Sequence, residues 1–231
     1  MPTPILMYHS ISDSRNRLSL SVDKFYKQMN FMKKIGYNTI NLNEINQNNK
    51  NKFIITFDDG YEDVLINALP ILKKFNFKAI CFFVTDHLNH YNIWDQNKDD
   101  FHLLKTMNKD QVKYWLKSGM QIGSHTSTHK NLQKININEK ISEISKSKNF
   151  FKDKFDTDIK FFSYPYGSYD NETVMIIRKY YDFAVTTKRS RYIKNRFHEH
   201  LLPRVPINKS DGLFKFFLKI TTPYEDIKFK A

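Results

Sequence analysis

A single cysteine, Cys81, is all the thiol chemistry in the chain, so no intrachain disulfide can form. It sits in Ile-Cys-Phe-Phe and reads as a small core residue. Six glycines and seven prolines in 231 residues are too few for collagen or low-complexity linkers. No stretch approaches the roughly 18 consecutive apolar residues of a membrane-spanning helix. The segment from Pro2 to His9 has no basic part and only a short apolar run, so no secretory signal is read there and the expected location is cytoplasmic. Internal repeats and linkers are missing too, which predicts a single domain over residues 1–231. A chain of this length buries about 70% of its unfolded surface and needs no staple.

Acidic residues are in deficit, 24 against 37 Lys and Arg, for a net charge of +13. That balance invites nucleic acid, an anionic membrane surface or an acidic glycan. The lysines are spread along the whole chain, however, with no basic stripe, so no nucleic-acid partner is expected. Leu213 to Ile220 alternates bulky apolar and basic residues. It fits weak contact with a membrane surface, or packing as the terminal element of the fold.

Aromatic residues are plentiful, 20 Phe and 13 Tyr, and they punctuate a regular alternation of elements. Strands are predicted at Ile5 to Tyr8, Thr39 to Leu42, Phe53 to Phe57, Ala79 to Val84, Met120 to Gly123, Lys160 to Ser163 and, as the last clear one, Phe183 to Thr187. Helices are predicted between them. One starts at an N-cap on Ser21 and ends before Gly36; another, Val64 to Phe75, is broken or restarted by Pro70. Others cover Asp110 to Lys117, Ile137 to Phe155 and Glu172 to Tyr181. Such alternation predicts an α/β fold on a parallel sheet, closed into a distorted (β/α)7-type barrel. Chemistry then belongs beyond the carboxyl ends of the strands.

Three polar clusters lie there. Thr56-Phe-Asp-Asp-Gly60 puts two carboxylates at a strand end, where a twist can turn both toward one site, one to hold a metal and one to act as a base. Elsewhere Asp-Asp-Gly is only a turn. Gly123-Ser-His-Thr-Ser-Thr-His129 places two imidazoles four residues apart, the spacing of a two-histidine metal site or of two solvated rings. With one carboxylate they make a His2Asp set, the catalytic zinc pattern with an open position. Ser163-Tyr-Pro-Tyr-Gly167 is a tight turn whose N–H groups can face a reacting oxygen.

Together these stretches resemble the polysaccharide deacetylase family (carbohydrate esterase family 4, with the NodB-homology domain) over roughly residues 3 to 190. Thr56 to Gly60 matches its first motif, Ser124 to His129 its second, and Tyr164 to Gly167 the end of its third. The resemblance implies a distorted (β/α) barrel, one divalent metal ion, commonly zinc, and hydrolysis of the N-acetyl group of an amino sugar. It implies Asp59, His125 and His129 as metal ligands, Asp58 as general base, and the N–H of Tyr166, in the Pro165–Gly167 turn, as oxyanion donor.

Two departures stand out. Ser163 occupies the place where many members carry the Arg that orients the base. The late Leu-x-His motif that supplies the general acid has no match, since His198 and His200 lie in the wrong pattern. Both features resemble the poly-N-acetylglucosamine deacetylases, in which the acid His comes from the first strand; His9 fits that role and is expected to titrate near neutrality. Arg204, in Leu202-Pro-Arg-Val-Pro206, is the candidate substitute for the missing Arg. Trp94, in the long polar stretch His87 to Lys105, is a candidate for stacking on a sugar. The alternative function is a glycan-binding pseudoenzyme of the same fold, which Ser163 alone supports.

Overall fold

The computed structural model describes residues 2–47, 50–99 and 101–229. Seven strands form the barrel: β1 (Ile5–Tyr8), β2 (Lys52–Phe57), β3 (Ile80–Phe83), β4 (Gln121–Ser124), β5 (Phe161–Ser163), β6 (Phe183–Arg189) and β7 (Leu202–Pro206). Each pairs in parallel with its neighbour in sequence. The sheet closes where β1 pairs with β2 through Ile5 and Ile54 and with β7 through Leu6 and Val205.

The strand alternation sorts side chains into two layers. Ile5, Ile54, Ile80, Phe82, Phe161, Val185 and Leu202 fill the barrel interior. Leu6, Tyr8, Phe53, Ile55, Phe57, Cys81, Phe83 and Phe162 face the surrounding helices, α1 (Val22–Lys34), α2 (Leu69–Phe75), α3 (Lys109–Lys117), α4 (Ile137–Phe155), α5 (Asn171–Tyr180), α6 (Leu213–Thr221) and α7 (Tyr224–Lys228). Counting on by two from Ile54 and from Leu202 reaches Thr56, Asp58 and Arg204, which are buried polar residues of the inward parity.

Three elements differ from the sequence expectation. Thr39 to Leu42 is not one strand: Asn38–Thr39 pairs with the start of β2, and Leu42–Glu44 is a 3₁₀ turn. The Val64 to Phe75 helix is divided, with a π-helical turn at Val64–Ala68 that leaves Pro70 in the first turn of α2, where its missing N–H is not needed. β7 has no counterpart in the predicted strands because Pro203 and Pro206 argue against a ladder. A register shift between Leu202 and Arg204 in the pairing with β6 accommodates the first of them.

Leu213 to Ile220 falls in α6, which packs on α1 with the Phe216 ring 6.4 Å from Phe31 and is followed by α7. Among the described residues, no helix is long and apolar enough to cross a membrane.

Candidate active site

The β2 strand continues its pairing one residue beyond its end, where the Asp58 N–H donates to Tyr8 O at 3.0 Å. Asp59 then turns into the left-handed region at φ 73°, so two consecutive carboxylates reach one cavity instead of opposite faces. That cavity is also lined by His9, His125, His129 and Tyr166.

Asp59 Oδ1 lies 3.6 Å from His125 Nε2 and 3.4 Å from His129 Nε2, and the two nitrogens are 3.2 Å apart. Ligand bonds of about 2.0–2.1 Å in a tetrahedron require edges of about 3.3–3.4 Å. Asp59 Oδ1 is buried and accepts no hydrogen bond. Burial and the Asp58 charge push its carboxyl up to about 8. Burial lowers both imidazoles, which favours their neutral, ligating form. His125 Nδ1 lies 2.7 Å from Ser163 O, which fixes that nitrogen as the donor and leaves Nε2 free. An orphaned buried oxygen and two neutral nitrogens at this spacing could hold a metal ion.

The loop carrying His129 is held from outside. Thr126 and His129 both have positive φ. Glu143 of α4, buried, accepts the Thr128 N–H at 2.8 Å and the Thr128 hydroxyl at 2.6 Å. No local pattern marks Glu143, because its partner lies fifteen residues earlier.

Asp58 is bound by Arg204, which is fully buried. Nη1 donates to Oδ1 at 2.8 Å and Nη2 to Oδ2 at 2.7 Å. Nη2 also donates to Ser163 Oγ at 3.2 Å, so the guanidinium occupies the neighbourhood of the residue that departs from the family motif. Burial alone would raise the Asp58 carboxyl, but the charges of Arg204 and His125 and the Arg204 hydrogen bonds outweigh it and hold the group well below the ordinary carboxylate range.

His9 Nε2 stands 4.0 Å from Asp58 Oδ2. Burial outweighs the attraction of Asp58 and lowers His9 to about 4, away from the near-neutral value expected from the sequence. The competing histidines are elsewhere. His200 Nε2 lies 2.8 Å from Tyr181 O, His198 is exposed, and neither lines the cavity.

The third motif forms the far wall. Gly167 N–H to Tyr164 O and Ser168 N–H to Pro165 O close the turn, which leaves the Tyr166 N–H out of its closure. Gly167 is required there: at φ 68°, a Cβ would fall 1.9 Å from Thr187 Oγ1. The Tyr166 ring packs on His129 at 4.6 Å and its hydroxyl donates to Asp95 at 3.2 Å. Trp94 also packs on His129, with ring centres 5.1 Å apart and planes at 30°. Asp95 and Lys98, which no motif marks, bring the loop after β3 over the cavity; Lys98 Nζ lies 4.7 Å from the Tyr166 ring centre.

The family model described as polysaccharide deacetylase matches residues 45–181. A Bacillus subtilis protein named as a polysaccharide deacetylase, YxkH, is 34% identical over 193 residues, which is 80% of this chain and 64% of that protein. A Staphylococcus aureus poly-β-1,6-N-acetyl-D-glucosamine N-deacetylase is 27% identical over 93% of this chain and 76% of its own length. Among solved structures, a polysaccharide deacetylase from Bacillus anthracis superposes with a TM-score of 0.82 at 26% identity, covering 95% of this chain and 69% of that one. A family match over more than half of the sequence, on a closed seven-stranded barrel with the motif residues gathered at one end, places this chain in the polysaccharide deacetylase family.

Proposed function

We propose that the protein is a metal-dependent hydrolase that removes N-acetyl groups from an amino-sugar glycan or glycoconjugate and releases acetate. The observation that carries this reading is the meeting, in one cavity, of the Asp59–His125–His129 cluster with a second carboxylate held by a buried Arg. The S. aureus relative, named for an N-acetylated glucosamine polymer, supports the class of bond.

Asp59, His125 and His129 would hold one divalent ion, zinc by their mixed nitrogen and oxygen donors. When bound it would supply Lewis-acid polarisation of the acetamide and make water easier to ionise. Asp58, kept ionised and oriented by Arg204, takes the proton of the attacking water. The amine leaves only when protonated, and His9 delivers that proton. Burial lowers His9, whose Nε2 stands 4.0 Å from Asp58 Oδ2, so it gains the proton that it delivers in the course of the reaction. The Tyr166 N–H, set by the Pro165–Gly167 turn, holds the developing oxyanion.

The reading is tested by acetate release, with and without chelator, across N-acetylamino-sugar oligomers, lipid-linked sugars and nucleotide sugars. No acetate from any of them with metal-loaded protein rules it out. A pseudoenzyme drew on Ser163 alone, and the Arg204 guanidinium beside Ser163 removes that support.

A further inference from the structure

His9 lies between the end of β1 and a second short strand, Ser10–Ile11, which pairs in parallel with Ser19–Leu20. That ladder uses one edge of the strand. The Ser10 and Ser12 N–H groups donate to Leu18 O and Leu20 O at 3.4 and 2.9 Å, so the N–H and C=O of Ile11 face the other way. Ile11 is fully buried, and its backbone groups need partners there.

Both partners come from one turn of the chain after Gly60. Asp63 Oδ1 accepts the Ile11 N–H at 3.1 Å, and Asn67 Nδ2 donates to Ile11 O at 2.8 Å. The second carboxylate oxygen of Asp63 accepts the hydroxyl of Ser10 at 2.5 Å. Ser10 Oγ in turn lies 2.7 Å from Ser19 Oγ, which accepts from Ser14 Oγ at 2.7 Å. Each hydroxyl has one proton to give, so the chain of hydroxyls runs from Ser14 through Ser19 and Ser10 and ends on Asp63. Asp63 caps the π-helical turn Val64–Ala68, a conformation frequent at functional sites.

The residue before His9 is held as firmly. Tyr8 O accepts the Asp58 N–H, and the Tyr8 hydroxyl donates to Gln28 Oε1 at 2.8 Å. His9 therefore presents its ring to Asp58 from a backbone fixed on both sides, by Tyr8 on one and by Asp63 on the other. Asp63 does not line the cavity itself.

We propose that Asp63 is a positioning residue for the proton donor: by holding Ser10 and Ile11 it keeps the His9 ring within reach of Asp58 and of the leaving amine. The proposal rests on the deacetylase reading and extends it to a carboxylate outside the cavity.

A double-mutant cycle on the metal-loaded full chain tests it, with acetate release from N-acetylglucosamine oligomers as the rate. Asp63→Ala should lose about 10–100-fold in kcat with KM and metal content unchanged. In a His9→Ala background the same substitution should cost less than about twofold, because the ring it positions is gone. Asp63→Asn, which keeps an acceptor for the Ile11 N–H, should recover part of the rate. Ser10→Ala, which removes one hydroxyl, should show a smaller loss with the same cycle and serves if Asp63→Ala does not fold. A crystal structure of Asp63→Asn or Ser10→Ala should show His9 Nε2 displaced from its place 4.0 Å from Asp58 Oδ2. A loss that persists in full without His9, or an unmoved ring in both variants, overturns the proposal. So does a change confined to KM, which would assign Asp63 to the Arg17 and Leu18 wall of the cavity that the same segment carries. These outcomes leave the deacetylase reading standing; no acetate from the wild type removes both.

Discussion

Arg204 on β7 reaches Asp58 at the end of β2 through the barrel interior, past β1, and spends all five of its N–H donors there. Nε donates to Thr186 O at 2.8 Å, Nη1 to Thr56 Oγ1 and Asp58 Oδ1, and Nη2 to Asp58 Oδ2 and Ser163 Oγ. One planar fork thus ties β2, β5 and β6 to β7 and sets the plane of the carboxylate. A lysine in its place keeps the charge and loses the fork.

Arg204→Lys is therefore expected to keep the fold and lose activity, up to about 100-fold, through misplacement of Asp58. Arg204→Met leaves Asp58 buried without its partner and should destabilise the protein by about 3–5 kcal/mol near neutral pH. The folded-state value of Asp58 is depressed, so its contribution is fully present above the ordinary carboxylate value and is lost as pH falls through the folded value. Thermal unfolding across pH checks this: the gap between the wild type and Arg204→Met should be widest above pH about 5 and shrink below about 4. A gap independent of pH contradicts it.

Asp58→Asn should keep about one divalent ion per chain, because Asp58 is outside the ligand cluster. It should lose about 10²–10⁴-fold in kcat, the usual contribution of a general base. His129→Ala, by contrast, should lose the ion itself. Metal content by elemental analysis, set beside acetate release, separates the two, and near wild-type turnover by Asp58→Asn would move the base elsewhere.

His9→Ala should bind metal normally and still lose most of its rate. With His9 lowered to about 4, its own titration lies at the acid edge of the profile. The kcat/KM profile of the wild type should accordingly show no His9 limb between pH 6 and 9. An apparent pKa near 7 in kcat/KM that disappears in His9→Ala would show that His9 of the free enzyme keeps the ordinary histidine value and starts the reaction protonated.

Glu143 touches neither the cavity nor the proposed ligands directly, yet it holds the backbone between them. Glu143→Ala should weaken metal binding by about 10–100-fold, the scale seen when the groups that support ligands are removed. Glu143→Gln, which keeps an acceptor for Thr128, should recover part of it. Competition with a chromophoric chelator measures both, and unchanged affinity in the Ala variant would reduce Glu143 to a packing residue.

Much of this arrangement is written locally. Alternation of apolar residues, the Ser21 cap and the turn residues predict strands β1 to β6 and the major helices, since each depends on neighbours a few positions away. The clusters Thr56 to Gly60, Gly123 to His129 and Tyr164 to Gly167 are legible for the same reason: strand, turn and polar side chains are contiguous. What the chain alone did not disclose is long-range. Pro203 and Pro206 hide β7, and only the closure of the barrel against β1 and β6 turns that stretch into a strand. The meeting of Arg204 with Asp58, 146 residues apart, depends on strand order and inward parity together. The same holds for Glu143 beneath the His loop and for Trp94 against His129, which are set by how helix and loop pack on the barrel. The environment of His9 is likewise tertiary: its type and position come from the first strand, but burial beside Asp58 and Arg204, not imidazole chemistry, decides when it carries a proton.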